Sequence, residues 1–317
     1  MTESRIGGFA AIPPAYDPAG LDRGLGMIAA AGFTHVELHA HMLGAIVGAR
    51  LIDERLRPVQ AMLARHGLAC TIHGPFSLNL MDEALAPLHE AVARACIELC
   101  AALGSGVMVV HPGWLDGPLP EVELERLMGV ERAALARLAP FAADHRVRLC
   151  LENMPPVTET VLDGSRLNYA IDPVRLAAQV AAIDHPAIRA TIDFSHAWQS
   201  ANWRQVDFRG SLAPLAPLAA HLHIHDSFGR PPVLAHATTA DWVLFGVGDL
   251  HLPPGWGNID FPAALGGIAV PPETIMTFEI EKAFFGEEVL ARALADGRRF
   301  ASLIGDPLDG TAARDHP

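Results

Sequence analysis

Eight short apolar runs of strand character alternate with longer runs of helical periodicity along this chain, and that order constrains the fold more than any single motif. The strand-like runs cover residues 6–12, 35–39, 69–73, 107–110, 148–151, 190–192, 221–225 and 275–278. Helical segments lie between them at 21–31, 51–66, 85–103, 121–143 and 173–183, with a weaker one at 203–219 that Pro214 and Pro217 interrupt. A short helix at 261–265 and a last one at 287–303 complete the pattern. In the segment before Gly104, the residues Leu85, Leu88, Val92, Cys96, Leu99 and Leu103 recur every three or four positions, and the glycine closes the helix. Alternating strand–helix units build parallel sheets, and eight of them close on themselves. The expected fold class is therefore α/β, a single (β/α)8 TIM barrel. An open doubly wound sheet would want a glycine-rich phosphate loop after an early strand, and neither G-x-G-x-x-G nor G-x-x-x-x-G-K occurs. The barrel is expected over residues 1–304, followed by a polar, fraying tail at 305–317.

The seventh strand carries the sharpest chemical signal. Along 221–225 histidine alternates with aliphatic residues, so an extended chain sets His221, His223 and His225 on one face and Leu222 and Ile224 on the other. Buried imidazoles need partners, and a metal ion is one that holds several nitrogens at once. The other strands end in residues of the same kind. In order the ends read Glu37 or His39, His73, His111, Glu152, Asp193, His223 and Glu279. Turn chemistry accounts for an isolated Asp. It does not account for a succession of metal-capable side chains at the end of a barrel where chemistry is done. His196 follows Asp193 by three positions, and Asp249 and His251 flank Leu250 in the last long connection. Mixed carboxylate and imidazole donors suit Zn, Mn, Fe or Co better than Ca or Cu(I).

Charge narrows the partners. With 23 basic against 36 acidic residues the chain carries −13, which disfavours a nucleic-acid partner. A small molecule is the expected ligand. No apolar run reaches membrane-spanning length and the N-terminus lacks a signal pattern, so a soluble cytoplasmic protein is expected. A homo-oligomer is compatible with the composition. Cys70, Cys96, Cys100 and Cys150 have no C-x-x-C spacing and read as reduced core thiols. Lys282 is the only lysine, hence the one candidate for Schiff-base chemistry.

A set of short motifs, one per strand end, carries a family resemblance. They are His73-Gly74-Pro75-Phe76 with Asn79-Leu80, Val110-His111-Pro112-Gly113, Leu151-Glu152-Asn153, Ile192-Asp193 with His196, and His223-Ile224-His225-Asp226. Asp249-Leu250-His251 with Gly255-Trp256-Gly257-Asn258-Ile259-Asp260, and Phe278-Glu279, complete it. In these residues the chain resembles the xylose isomerase-like barrels, which include sugar-phosphate isomerases and epimerases and the endonuclease IV type of abasic-site nuclease (AP endonuclease family 2). The resemblance implies that Glu152, Asp193, His223 and Glu279 hold one divalent ion, as in the isomerase members. It implies that His73, His111, His196, Asp249 and His251 complete a three-zinc cluster, as in the nuclease members. Trp256 departs from the pattern, because both branches commonly place Glu between the two glycines.

Two activities follow as expectations. The first is a sugar or sugar-phosphate isomerase or epimerase. It would use one Zn, Mn, Co or Mg ion and an enediolate stabilised by that ion, with Glu152 and Glu279 moving the proton. The second is a phosphoester hydrolase of the endonuclease IV type with two or three zinc ions, acting on a small phosphoester rather than DNA. A non-catalytic binder on the same barrel ranks third. Trp114, Trp198 and Trp256 are expected to wall a substrate. Glu37 and His39 are expected to touch it or to orient a ligand histidine. Glu281 shares the face of Glu279, and residues 227–248 are the candidate lid.

Overall fold

The computed structural model describes residues 6–15 and 17–305. Eight parallel strands close into a barrel: β1 (Gly8–Ala11), β2 (His35–His39), β3 (Ala69–His73), β4 (Val107–Val110), β5 (Arg148–Glu152), β6 (Ile188–Asp193), β7 (Ala219–Ile224) and β8 (Ile275–Phe278). Each pairs with its neighbours in sequence, and β8 pairs back with β1. Among the described residues no helix is long and apolar enough to cross a membrane. The tail expected from residue 305 lies, beyond Gly305, outside the described residues.

Strand alternation sorts the side chains. Leu151, Ile192, Leu222 and Ile224 are fully buried in the main apolar core. The inward positions toward the C-terminal end of the barrel are polar instead. Glu37, Thr71, Thr191, His221, His223 and Thr277 are all closed to solvent. Register sets their depth. Glu37 is level with Thr71, and His39 is level with His73. Thr191 is level with His221, and Asp193 with His223. The four cysteines are free and buried, as their spacing suggests.

The helices follow local signals. The helix Ala86–Leu103 ends on Gly104, whose φ of 73° is the left-handed conformation glycine adopts without cost. One expectation needs correcting. The helix after β6 is not at 203–219 but at Phe194–Arg204, directly after the strand. Asp193 starts it by accepting a hydrogen bond from the His196 backbone N–H, as an N-cap does. The segment expected to be helical holds only Phe208–Leu212 and a 3-10 turn at Ala216–Leu218. Pro214 and Pro217 cannot donate the backbone hydrogen bonds a continuous helix needs. The candidate lid contains the helix Thr239–Phe245, which Thr238 and Asp241 cap reciprocally.

Candidate metal centre

Strand register gathers carboxylates and imidazoles at the C-terminal mouth. At the centre, His223 Nδ1 lies 3.0 Å from Glu152 Oε1, 3.2 Å from Glu279 Oε2 and 3.7 Å from Asp193 Oδ2. Donors held at zinc-ligand distances around a tetrahedral ion stand about 3.4 Å apart, so this spacing suits one divalent ion. Two further groups flank it. His111 Nε2 and His73 Nε2 lie 3.1 and 3.6 Å from Glu152 Oε2. His251 Nε2 and His196 Nε2 lie 2.9 and 3.1 Å from Asp249 Oδ2. Glu152 thus turns one oxygen to the centre and the other to a flank.

The hydrogen bonds on the far sides of the rings test whether cations fit. His73 Nδ1 contacts the Gly74 carbonyl at 2.9 Å, His196 Nδ1 the Asn153 carbonyl at 2.9 Å, and His251 Nδ1 the Glu279 carbonyl at 3.1 Å. A carbonyl only accepts, so each Nδ1 carries the proton. A neutral ring then presents the lone pair of Nε2, which faces a carboxylate that also only accepts. Two acceptors at this distance repel unless a cation or an extra proton lies between them. Glu152 Oε2 is buried and, among the described residues, accepts no hydrogen bond. The donor set and its orienting bonds fit divalent metal ions.

Electrostatics agree. Burial alone would raise the Glu152 carboxyl, but His223, His111 and His73 outweigh it and hold it well below the usual range. Glu279 goes the other way, because burial lifts its carboxyl more than His223 and His251 lower it. Burial disfavours a charged His223, yet Glu279, Glu37 and Glu152 push its pKa well above 6.5. Against the same burial, Asp249 carries His251 up to about 10. Without ions, His73, His196, His223 and His251 pair as imidazolium with the carboxylates, while burial holds the His111 imidazole below its ordinary value.

The loop bearing Asp249 and His251 is pinned. Asp226 accepts from the Gly255, Ile259 and Ser227 backbone N–H groups at 2.8, 3.1 and 2.9 Å. Gly257 must be glycine here, since a Cβ would stand 2.4 Å from the Asp226 carboxylate. His251 itself adopts φ +47°, a left-handed conformation that costs a non-glycine residue about 1 kcal/mol.

All nine residues that the resemblance implied as ligands converge on this mouth, while the other expected contacts divide. A cleft of about 580 Å³ opens over the cluster, lined by His39, Trp114 and Glu281 among others. Trp198 and Trp256 do not line it. Trp198 donates from Nε1 to Asn258 and packs on Phe208, and Trp256 is exposed and packs against Phe284. Glu37 does not line it either. It lies one layer deeper, 3.0 Å from both His223 Nε2 and His221 Nε2, and its other partner is the Thr71 hydroxyl. It is therefore placed to orient His223 rather than to touch a substrate. Glu37→Gln is expected to weaken metal affinity roughly 10–100-fold with the fold intact, read by competition with a chelating dye. Unchanged affinity would remove Glu37 from this role.

Three residues were not assigned by sequence. Asn153 clamps Asp193 from both sides: its amide donates to the Asp193 carbonyl at 2.8 Å, and its side-chain oxygen accepts from the Asp193 N–H at 2.9 Å. His225 bonds Asp193 at 2.8 Å and stacks on His251 with ring centres 4.0 Å apart. Phe76 covers the mouth and stacks on His111. Asn153 had only its place beside a ligand as a signal, whereas His225 was marked by its alternation with His221 and His223 on one strand face but was given no role.

Comparison with known proteins agrees with this architecture. A family model described as the xylose isomerase-like TIM barrel matches residues 25–297. An uncharacterized protein of Methanocaldococcus jannaschii is 27% identical over 217 residues, covering 67% of this chain and 64% of its own length. Among solved structures, a D-tagatose 3-epimerase-like protein superposes with a TM-score of 0.67 at 21% identity, covering 94% of this chain and 98% of that one. A D-psicose 3-epimerase crystallised in the presence of D-fructose gives 0.66 at 16%, covering 93% and 99%. The 3-keto-D-glucoside 4-epimerase of E. coli gives 0.62 at 16%, covering 92% and 98%. At these identities the structural likeness is one of fold. With the family model matching most of its length and the barrel closed as that fold requires, the chain belongs to the xylose isomerase-like TIM barrel family.

Proposed function

We propose that this chain is a metal-dependent hydrolase of a small phosphoester, using two or three divalent ions, zinc foremost. His73, His111 and Glu152 would hold one ion. Glu152, Asp193, His223 and Glu279 would hold a second, and His196, Asp249 and His251 a third. One observation carries the reading: the two oxygens of Glu152 are divided between two ion-sized groups of donors. A single-ion enzyme has no need of that division. When bound, such ions bring the pKa of a water near neutrality and offset the negative charge that builds at phosphorus. The chain's own part is preorganisation. Backbone carbonyls fix the rings of His73, His196 and His251, so their Nε2 atoms converge with no rearrangement at the moment of reaction. Asn153 holds the strand end that carries Asp193. The −13 charge supports a small ester over DNA.

A second reading is a sugar or sugar-phosphate isomerase or epimerase with one ion on Glu152, Asp193, His223 and Glu279. Two observations favour it. The similar solved structures include sugar epimerases. The carboxyls of Glu152 and Glu279 are also pushed apart in pKa, as suits one taking a proton while the other gives one. Protein purified without chelator separates the two. Under the hydrolase reading it turns over bis(4-nitrophenyl) phosphate and loses that activity in both His111→Ala and His251→Ala. The reading fails if no phosphodiester is cleaved while a ketose exchanges its carbon-bound proton with solvent, and that exchange disappears in Glu279→Gln with metal retained.

A further inference from the structure

The cleft above the ligands is built for more than a reacting ester. Part of its wall is apolar: Met42, Phe76, Trp114, Met154 and Val157 all face it. Phe76 is 50% exposed, a large aromatic left open at the mouth of a site. A volume of about 580 Å³ falls within the roughly 300–1,000 Å³ that encloses a drug-sized ligand.

Two cations stand in the same lining, Arg166 and Lys282, and no other Arg or Lys does. Neither has a carboxylate within ion-pair distance among the described residues, although Glu281 also faces the cleft. Arg166 is held in place. It lies on the two-residue strand Arg166–Leu167, which pairs with Leu115–Asp116, and its guanidinium lies 5.1 Å from the centre of the Trp114 ring. Lys282 is the chain's single lysine. The preceding residue, Glu281, donates its backbone N–H to the His251 carbonyl at 2.9 Å, which ties this loop to a ligand loop. The two cations rise from the connections after β5 and β8, three strand positions apart around the barrel. Among the described residues, neither side chain forms a hydrogen bond or ion pair with any of the nine proposed ligands.

We propose that Arg166 and Lys282 form an anion subsite, and that the substrate carries a flat apolar group against Trp114 and Phe76 together with a negative group separate from the ester that reacts. This deepens the hydrolase reading by naming its substrate class, and it is testable without turnover. The probe is naphthalene-2-sulfonate, with the neutral naphthalene-2-sulfonamide as its control, titrated calorimetrically into the metal-loaded protein at low salt. The sulfonate should bind at least about tenfold more tightly than the sulfonamide, and that margin should shrink as salt is added. It should vanish in Arg166→Gln/Lys282→Gln with metal content unchanged, and Trp114→Ala should weaken both probes. Equal binding of the two probes, no binding of either, or a margin that survives the double substitution overturns the proposal. A variant that binds normally yet cleaves no phosphodiester counts against the hydrolase reading and leaves the subsite standing. A protein that cleaves bis(4-nitrophenyl) phosphate but shows no sulfonate preference does the reverse.

Discussion

Glutamine in place of Glu152 is expected to remove about two of three bound ions and to reduce phosphodiester turnover by more than the roughly 10–100-fold that loss of an orienting partner costs. The reason is local. Glu152 Oε1 lies 3.0 Å from His223 Nδ1, and Glu152 Oε2 lies 3.1 Å from His111 Nε2. An amide keeps the shape but supplies one oxygen and no charge, so it cannot serve both groups. The third group, His196, Asp249 and His251, does not use Glu152 and should keep its ion. Elemental analysis of protein purified without chelator should fall from near three ions per chain toward one, while the circular dichroism spectrum stays unchanged. Asp249→Asn is the complementary change, expected to remove the third ion and spare the other two. Unaltered metal content in Glu152→Gln would remove Glu152 from both ion sites, and a wild-type content of one ion per chain would give the single-ion isomerase reading precedence.

The barrel and the convergence of the candidate ligands at its mouth were legible in the sequence for the same reason. Strands at 35–39, 69–73, 107–110 and 275–278 have the boundaries that their apolar runs suggest. An inward-facing residue at a strand end points to the common mouth, so placing the strands and their parity also placed His73, His111, Glu152, Asp193 and Glu279 there. Depth was less legible than face. Glu37 and His39 share a face by parity, but which of them reaches the cleft depends on the stagger between strands, and that put Glu37 beneath His223. The helix Phe194–Arg204 was hidden because its sequence mixes Ser, His, Gln, Asn and Trp and has a weak apolar period. Its start is set by the side chain of Asp193, which reads equally well as a ligand. Loop paths carry no period at all. That is why Trp198 and Trp256 were expected at the cleft and lie elsewhere, while Arg166, brought in by a two-residue strand, was not expected there.

The apo and metal-loaded proteins are expected to respond to pH with opposite sign. In the ion-free chain, burial opposes charging of the imidazoles and prevails at His111, but at four others the carboxylate neighbours win. The pKa values of His73, His196 and His223 are raised, and that of His251 reaches about 10. A raised folded-state pKa means the native protein holds the proton more tightly than the unfolded chain does. The stability it gives is complete below the ordinary histidine value of 6.5 and is lost as pH climbs through the raised value. With chelator present, the melting temperature should therefore decline between about pH 6.5 and 10. The loaded protein behaves otherwise, because metal ligands must shed those protons, and rising pH over the lower part of that range strengthens binding. Ions present at about a thousand times their dissociation constant add roughly 4 kcal/mol. For a chain of this size that raises the melting temperature by about 6 °C. Melts at pH 6.5, 7.5 and 8.5, with EDTA and with zinc, should thus diverge as pH rises. Calorimetry of zinc binding in buffers of different ionisation enthalpy should show protons released on uptake. Parallel pH profiles with and without zinc, or zinc uptake without proton release, would mean that the imidazoles at the barrel mouth are not where the ions bind.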